Sequence, residues 1–306
     1  MKEKIFIELI KKTLNSEYIG DDCAYLKDLG IVVSQDSLVE DVHFSCKYFS
    51  PYQLGYKSVM VNISDICASG AEPKYITIAL SLPDSIDENF VEEFYKGAKA
   101  AAGNVQIVGG DITGADKIFI SVAIIGSVEG RHISSRSGAK VGQKIILAGL
   151  HGMSGVGLRL LLNENFPELN NEEQDAFKKA HLMPKAQLDA SKRISTSEKT
   201  TYAMMDTSDG LADALITIAN SSNVMLEVDF DKIKYYSGLS KLEKYEELIL
   251  YGGEDYGLVA TVSNSEGLDV IGEVREGSGV KINYKNFSQM LTKEDVENNI
   301  YKHFEE

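Results

Sequence analysis

The sequence is short of cysteine, of long apolar runs and of positive charge. Its three cysteines, Cys23, Cys46 and Cys67, lie far apart and form no CxxC pair. That excludes a disulfide framework and a cysteine zinc site. It fits reduced thiols packed in the core of a cytoplasmic protein. No apolar run approaches the ~18–20 residues of a membrane-spanning helix. The opening stretch MKEKIFIELIKKTL is interleaved with charge and does not read as a signal peptide. Its Phe6, Leu9, Ile10 and Leu14 predict one face of an amphipathic helix. Bases number 31 against 46 acids, a formal net charge of −15. Nucleic acid or an anionic membrane bound by bulk charge is thereby disfavoured. A phosphate ligand is not, because bound divalent cations reverse the local sign. Common catalytic signatures are missing as well. There is no GxxxxGK[ST], no GxGxxG, no HExxH and no GxSxG, which argues against a P-loop, a zincin and a serine hydrolase.

What the chain does have is carboxylates at the ends of apolar segments. Residues 31–44, IVVSQDSLVEDVHF, begin as a β-branched strand and turn acidic at Asp36, Glu40 and Asp41. The arrangement recurs at Gly20-Asp21-Asp22, Ser64-Asp65, Gly109-Gly110-Asp111, Asp206-Thr207-Ser208-Asp209-Gly210 and Gly252-Gly253-Glu254-Asp255. Asp beside Gly is ordinary turn chemistry, so one such cluster means little. Several of them converging would make a hard-oxygen site for Mg²⁺ and a polyphosphate.

At 306 residues the chain is long enough for two domains. Ser50-Pro51 predicts a helix start and Gly70 its stop, with polar Asn62, Ser64 and Asp65 inside. Buried polar residues need partners, which a metal or phosphate would supply. Residues 74–82 predict a strand, Ser85 to Glu88 a capping box, and 105–108 a strand ending at Gly109-Gly110-Asp111. The polar, basic segment 130–143 reads as a domain junction. Its Arg136 can meet a phosphate or sit solvated. The glycines at 149, 152, 155 and 157 open a helix and suit either an anion or close backbone packing. His43, between Val42 and Phe44, reads from its neighbours as structural.

In order, GDDCAYL (20–26), SQDSLVEDVHF (34–44), VNISDICASGAEP (61–73), GGDIT (109–113), RSGAKVGQ (136–143), MDTSDGLADAL (205–215), GGEDYGL (252–258) and YKHF (301–304) resemble one family, the thiamine-monophosphate kinases. That family belongs to the superfamily of aminoimidazole ribonucleotide synthetase. The resemblance implies a two-domain fold, α+β in the N-terminal half (1–138, ATP- and Mg-binding) and α/β in the C-terminal half (139–306). The N-terminal mixed sheet would be used for dimerisation. It implies transfer of the ATP γ-phosphoryl to thiamine monophosphate, giving thiamine diphosphate and ADP, with several Mg²⁺ ions.

Carried over position by position, the metal ligands would be Asp22, Ser34, Gln35, Asp36, Asp65, Asp111, Asp206 and Asp209. Asp36, Asp65 and Asp111 would be catalytic. Gly110, Asp111, Arg136 and Ser208 would contact ATP, and His43, Glu254 and Tyr301 the thiamine substrate. Gln35 departs from the family, which usually has threonine there. Two rival readings remain: a superfamily relative with another acceptor, and a metal-binding protein without turnover.

Overall fold

The computed structural model of the chain describes residues 2–285 and 287–299. The N-terminal half runs α1 (Lys2–Leu14), β1 (Ala24–Leu26), β2 (Ile31–Val39), α2 (Pro51–Ser69), β3 (Glu72–Leu82), α3 (Glu88–Ala102), β4 (Gln106–Gly114) and β5 (Phe119–Ser127). Its sheet has the order β1-β2-β5-β3-β4. Only β3 and β4 pair in parallel. Alternation sets the faces. Ile76, Ile78 and Leu80 of β3 and Ile120, Val122 and Ile124 of β5 are buried, on the side of α2 and α3. The opposite face is open, with Tyr75 46%, Phe119 38% and Ile125 36% exposed.

Helix α2 is specified at both ends. Ser50 accepts the Gln53 N–H while the Gln53 side chain returns to the Ser50 N–H, Pro51 starts the helix, and Gly70 caps it at φ 84°. It packs on α3 at glycine contacts. A Cβ at Gly55 would strike the Phe94 carbonyl, and one at Gly97 the Tyr52 carbonyl.

The C-terminal half runs β6 (Lys144–Ala148), α4 (Met153–Leu161), α5 (Asn171–Leu182), α6 (Leu188–Ser197), β7 (Met204–Asp206), α7 (Leu211–Ser222), β8 (Met225–Asp229), α8 (Tyr245–Tyr251), β9 (Leu258–Val262), β10 (Val270–Arg275), β11 (Gly279–Tyr284), β12 (Phe287–Leu291) and α9 (Lys293–Asn299). The sheet order is β12-β11-β8-β10-β6-β9-β7, with β11 and β8 parallel. One face buries Ile145, Leu147, Leu226 and Val259 against Leu215 and Ile218 of α7. The other face places Ile146, Met204, Leu258 and Ala260 in the same apolar cluster as Ile63 and Ile66 of α2. So α2 serves both halves. Burying a side chain such as Ile63 stabilises by about 1.5–3 kcal/mol.

Three expectations change. Gly109-Gly110-Asp111 lies inside β4, because an edge strand tolerates glycine without turning. The cap of α3 is Asp87, adjacent to the first helical residue, and not Ser85. Cys23 and Cys67 are buried, but Cys46 is exposed.

Candidate active site

Three carboxylates from distant parts of the chain meet beside α2. Asp22 precedes β1, Asp65 projects from α2 four residues before its end, and Asp206 ends β7. Their nearest oxygens all lie within 4.8 Å of one another. Hydroxyls hold them in place. The Ser34 Oγ is 2.5 Å from Asp65 Oδ2 and 3.2 Å from the Asp22 carbonyl. Ser64 donates to Asp206 Oδ2 at 2.7 Å, and Ser208 to Asp206 Oδ1 at 3.0 Å. The buried polar residues of α2 thus have partners. Asn62 accepts the Asp36 N–H at 3.0 Å and donates to the Ser58 carbonyl.

Crowding acidic groups away from water disfavours their charged forms. Burial, reinforced by Asp36, Asp206 and Asp22, pushes Asp65 well above the usual carboxylate range. Burial and Asp22 push Asp206 up to about 7, and burial with Asp22 and Asp209 pushes Asp36 up to about 6. Burial also raises Asp22, although Arg136 opposes it. The Arg136 guanidinium grips Asp22 at 2.8 Å through Nη2 and 3.3 Å through Nε.

Alternation along β2 sorts the neighbouring residues. Ser34 and Asp36 share the α2 side with buried Val32 and Leu38. Gln35 faces the other way, and its amide donates to Ser121 Oγ at 2.9 Å on the open face. Its side chain does not reach the cage. Asp209 is exposed at the rim and acts on Asp36 electrostatically. Ser208 sits between Asp206 and Asp209.

The substrate-side residues gather at a second locus. His43 Nδ1 accepts the Val39 N–H at 3.0 Å, which leaves Nε2 as the protonated nitrogen. Glu254, at φ 62°, is held by its own N–H to the Ser208 carbonyl at 2.6 Å. Burial raises its pKa, but Lys57, His181 and His43 together hold it below the usual range. Tyr301 lies outside the described residues.

Asp111 and Gly110 do not join the cage. Asp111 is exposed and pairs with Ala79, on the open face. Two strands, β5 and β3, separate β4 from β2, so Asp111 stands about 14 Å from Asp36 at ~4.8 Å per strand. Gly110 has no room for a side chain, since a Cβ would strike the Ile78 carbonyl.

The glycine segment before α4 has its anion already. Asp255 accepts the Gly152 N–H at 2.6 Å and the Ser154 N–H at 2.8 Å, so this helix start is filled by a carboxylate of the chain. Gly157 packs against the Phe177 backbone. Close packing accounts for Gly157, and backbone in the left-handed region for Gly149 and Gly152.

Lys57 was missed by motif reading, although a lysine inside an otherwise core-like helix is itself a signal. Its ammonium is buried and bonds Glu254.

The cage fits a divalent cation. Its donors are hard oxygens, they converge, and burial with mutual repulsion disfavours their charged forms, a cost that a bound cation would offset.

Comparison with known proteins gives a consistent picture. The family profile "AIR synthase related protein, N-terminal domain" matches residues 20–128, and "AIR synthase related protein, C-terminal domain" matches residues 140–285. The chain is 38% identical to the thiamine-monophosphate kinase of Aquifex aeolicus over 91% of its own length and 93% of the relative's. It is also 38% identical to that of Bacillus subtilis, over 81% and 78% of the two chains. A solved structure described as AaThiL complexed with AMPPCP and TMP superposes with TM-score 0.81 at 36% identity, covering 92% of this chain and 94% of that one. A hydrogenase maturation protein HypE in complex with ATP shares the fold, at TM-score 0.68 and 20% identity.

Proposed function

The chain belongs to the thiamine-monophosphate kinase family, and from that premise we propose how its residues divide the reaction. It is an ATP-dependent kinase that converts thiamine monophosphate to thiamine diphosphate. The observation that carries the site reading is the convergence of Asp22, Asp65 and Asp206 within 4.8 Å.

Mg²⁺ is the cation of the cage in this reading, held by Asp22, Asp65, Asp206 and Asp36 with Ser34 beside them. Bound there, it offsets the repulsion between the ATP phosphates and the incoming acceptor phosphate. The acceptor oxygen is already anionic, so the chain needs no strong general base. Ser34, Ser64 and Ser208 fix the carboxylates before substrate arrives, and Asn62 fixes the β2 backbone at Asp36. Such preorganisation is where electrostatic catalysis gains most. Arg136, turned toward the cage by Asp22, is the guanidinium for nucleotide phosphate. His43, through Nε2–H, and Glu254 take the acceptor side.

Asp111 and Gly110 reach this site in a homodimer. The support is geometric: they lie on the open face and the far edge of the sheet, while the cage lies on the covered face. The exposed Tyr75, Phe119 and Ile125 give that open face an apolar surface for a second copy. The partner's β4 then supplies the Gly110-Asp111 corner.

The reading predicts that protein supplied with Mg²⁺, ATP and thiamine monophosphate forms ADP and thiamine diphosphate in equal amounts, and that chelation stops both. ADP without thiamine diphosphate would contradict the acceptor assignment. Full turnover in chelator would contradict the metal assignment.

A further inference from the structure

Lys57 lies on α2 with its ammonium fully buried, a rare place for a charge. Nζ donates to Glu254 Oε2 at 3.1 Å and to the His181 carbonyl at 3.2 Å, and it lies 5.3 Å from the centre of the Phe49 ring. Its two hydrogen-bond partners come from the C-terminal half, so the ion pair crosses between the halves.

Seven residues on, at the same angular position, Ser64 bonds Asp206 at 2.7 Å. Seven residues of helix rise about 10.5 Å and return to within about 20° of the same line. One stripe of α2 therefore grips two C-terminal acids, Asp206 at the cage and Glu254 at the acceptor locus. The same helix carries Asp65.

Glu254 retains 33% side-chain exposure despite this grip, so its side chain is still partly open to a ligand. Its backbone is in the left-handed region at φ 62°, as is Tyr256 at φ 50°. A non-glycine residue persists there only when its surroundings hold it. The grip on the Glu254 side chain by Lys57, with His181 Nδ1 at 3.4 Å from the same oxygen, is part of that hold.

We infer that Lys57 is a positioning residue for the acceptor substrate: it fixes the Glu254 carboxylate in orientation and at a set distance from the carboxylate cage. A carboxylate so held suits the cationic, hydrogen-bonding ring system of a thiamine. This inference rests on Glu254 facing the acceptor. Lys57 touches no reacting atom. It acts through Glu254, and α2 serves as the spacer between acceptor and metal sides.

The test compares Lys57→Met, Glu254→Gln and the double variant in the full chain, with KM and kcat measured for both substrates. Lys57→Met is expected to raise KM for thiamine monophosphate about 10- to 100-fold while KM for ATP moves less than about threefold. Adding Glu254→Gln is expected to cost nothing more, because the two act as one unit. Should Lys57→Met not accumulate folded, Lys57→Gln, which keeps a neutral donor, is measured in the same way.

A uniform fall in kcat with both KM values unchanged, or losses that simply add, would mean that Lys57 only supports the fold and would overturn the inference. An unchanged acceptor KM in Glu254→Gln would instead remove Glu254 from the acceptor side. An effect of Glu254→Gln without one of Lys57→Met would leave Glu254 there and dismiss Lys57 alone.

Discussion

A cage of carboxylates is a poor way to stabilise a fold and a good way to hold a cation. Asp65 shows the conflict at a single residue, since burial and the neighbouring acids oppose its charge. A raised pKa carries stability at low pH that is lost as pH rises, so above the ordinary carboxylate range the buried Asp65 is a burden on the metal-free chain. Asp65→Asn is therefore expected to raise the melting temperature of metal-free protein and to abolish the extra stabilisation that Mg²⁺ gives the wild type. It is also expected to lower kcat by about 10²–10³-fold, the usual loss for a well-placed electrostatic group. Thermal melts with and without Mg²⁺, beside a kinetic assay, check all three. A destabilised variant that still turns over would contradict the role given to this carboxylate. Asp22, Asp36, Asp65 and Asp206 were legible in the sequence because each adjoins an apolar segment that fixes it. Their hydroxyl and amide supports, Ser64 and Asn62, were visible only as polar residues needing partners. Lys57 was missed: its partner lies 197 residues away, beyond any spacing signal, and its one local sign was a charge inside a core-like helix.

At the scale of elements, α2 was readable from its Ser-Pro start and glycine stop, which are local chemistry. That it lies between two sheets was not, since its pairing with Met204 and Leu258 is tertiary. A glycine pair misled the reading once: Gly109-Gly110 continues an edge strand where its end was expected. Before α4 the reading left an anion and close packing open, and there Asp255 takes the helix start while Gly157 packs on backbone. His151, just before α4, adds a pH effect. Burial lowers its pKa to about 4, whereas the unfolded chain binds that proton near pH 6.5. The stability that neutral His151 contributes is complete above about pH 6.5 and is lost as pH falls toward 4. At pH 5 the loss is about 2 kcal/mol. His151→Gln has no such proton to bind, so the stability gap between wild type and variant is expected to narrow by about 2 kcal/mol from pH 7 to pH 5. Denaturant titrations at the two pH values check this, and a constant gap would mean that the native histidine binds its proton as readily as the unfolded one.

For the whole molecule, the two halves are joined by α2, by the Ser64–Asp206 and Lys57–Glu254 contacts, and by a core that runs from one sheet to the other. The seven-stranded C-terminal sheet and its strand order were beyond sequence reading, because strand order depends on pairings remote in the chain. So was the separation of Asp111 from Asp36, which motif order alone had placed in one set. That separation makes the shared site the central claim: each complete site needs the cage of one copy and Asp111 of the other. The most direct measurement uses heterodimers of Asp36→Asn and Asp111→Asn, isolated through two different tags. If Asp111 acts across the interface, one site in each heterodimer collects both substitutions and the other is intact. The account predicts about half of wild-type activity per dimer from two nearly inactive parents. Heterodimers as inactive as their parents would contradict it, and would return Asp111 to the site of its own copy.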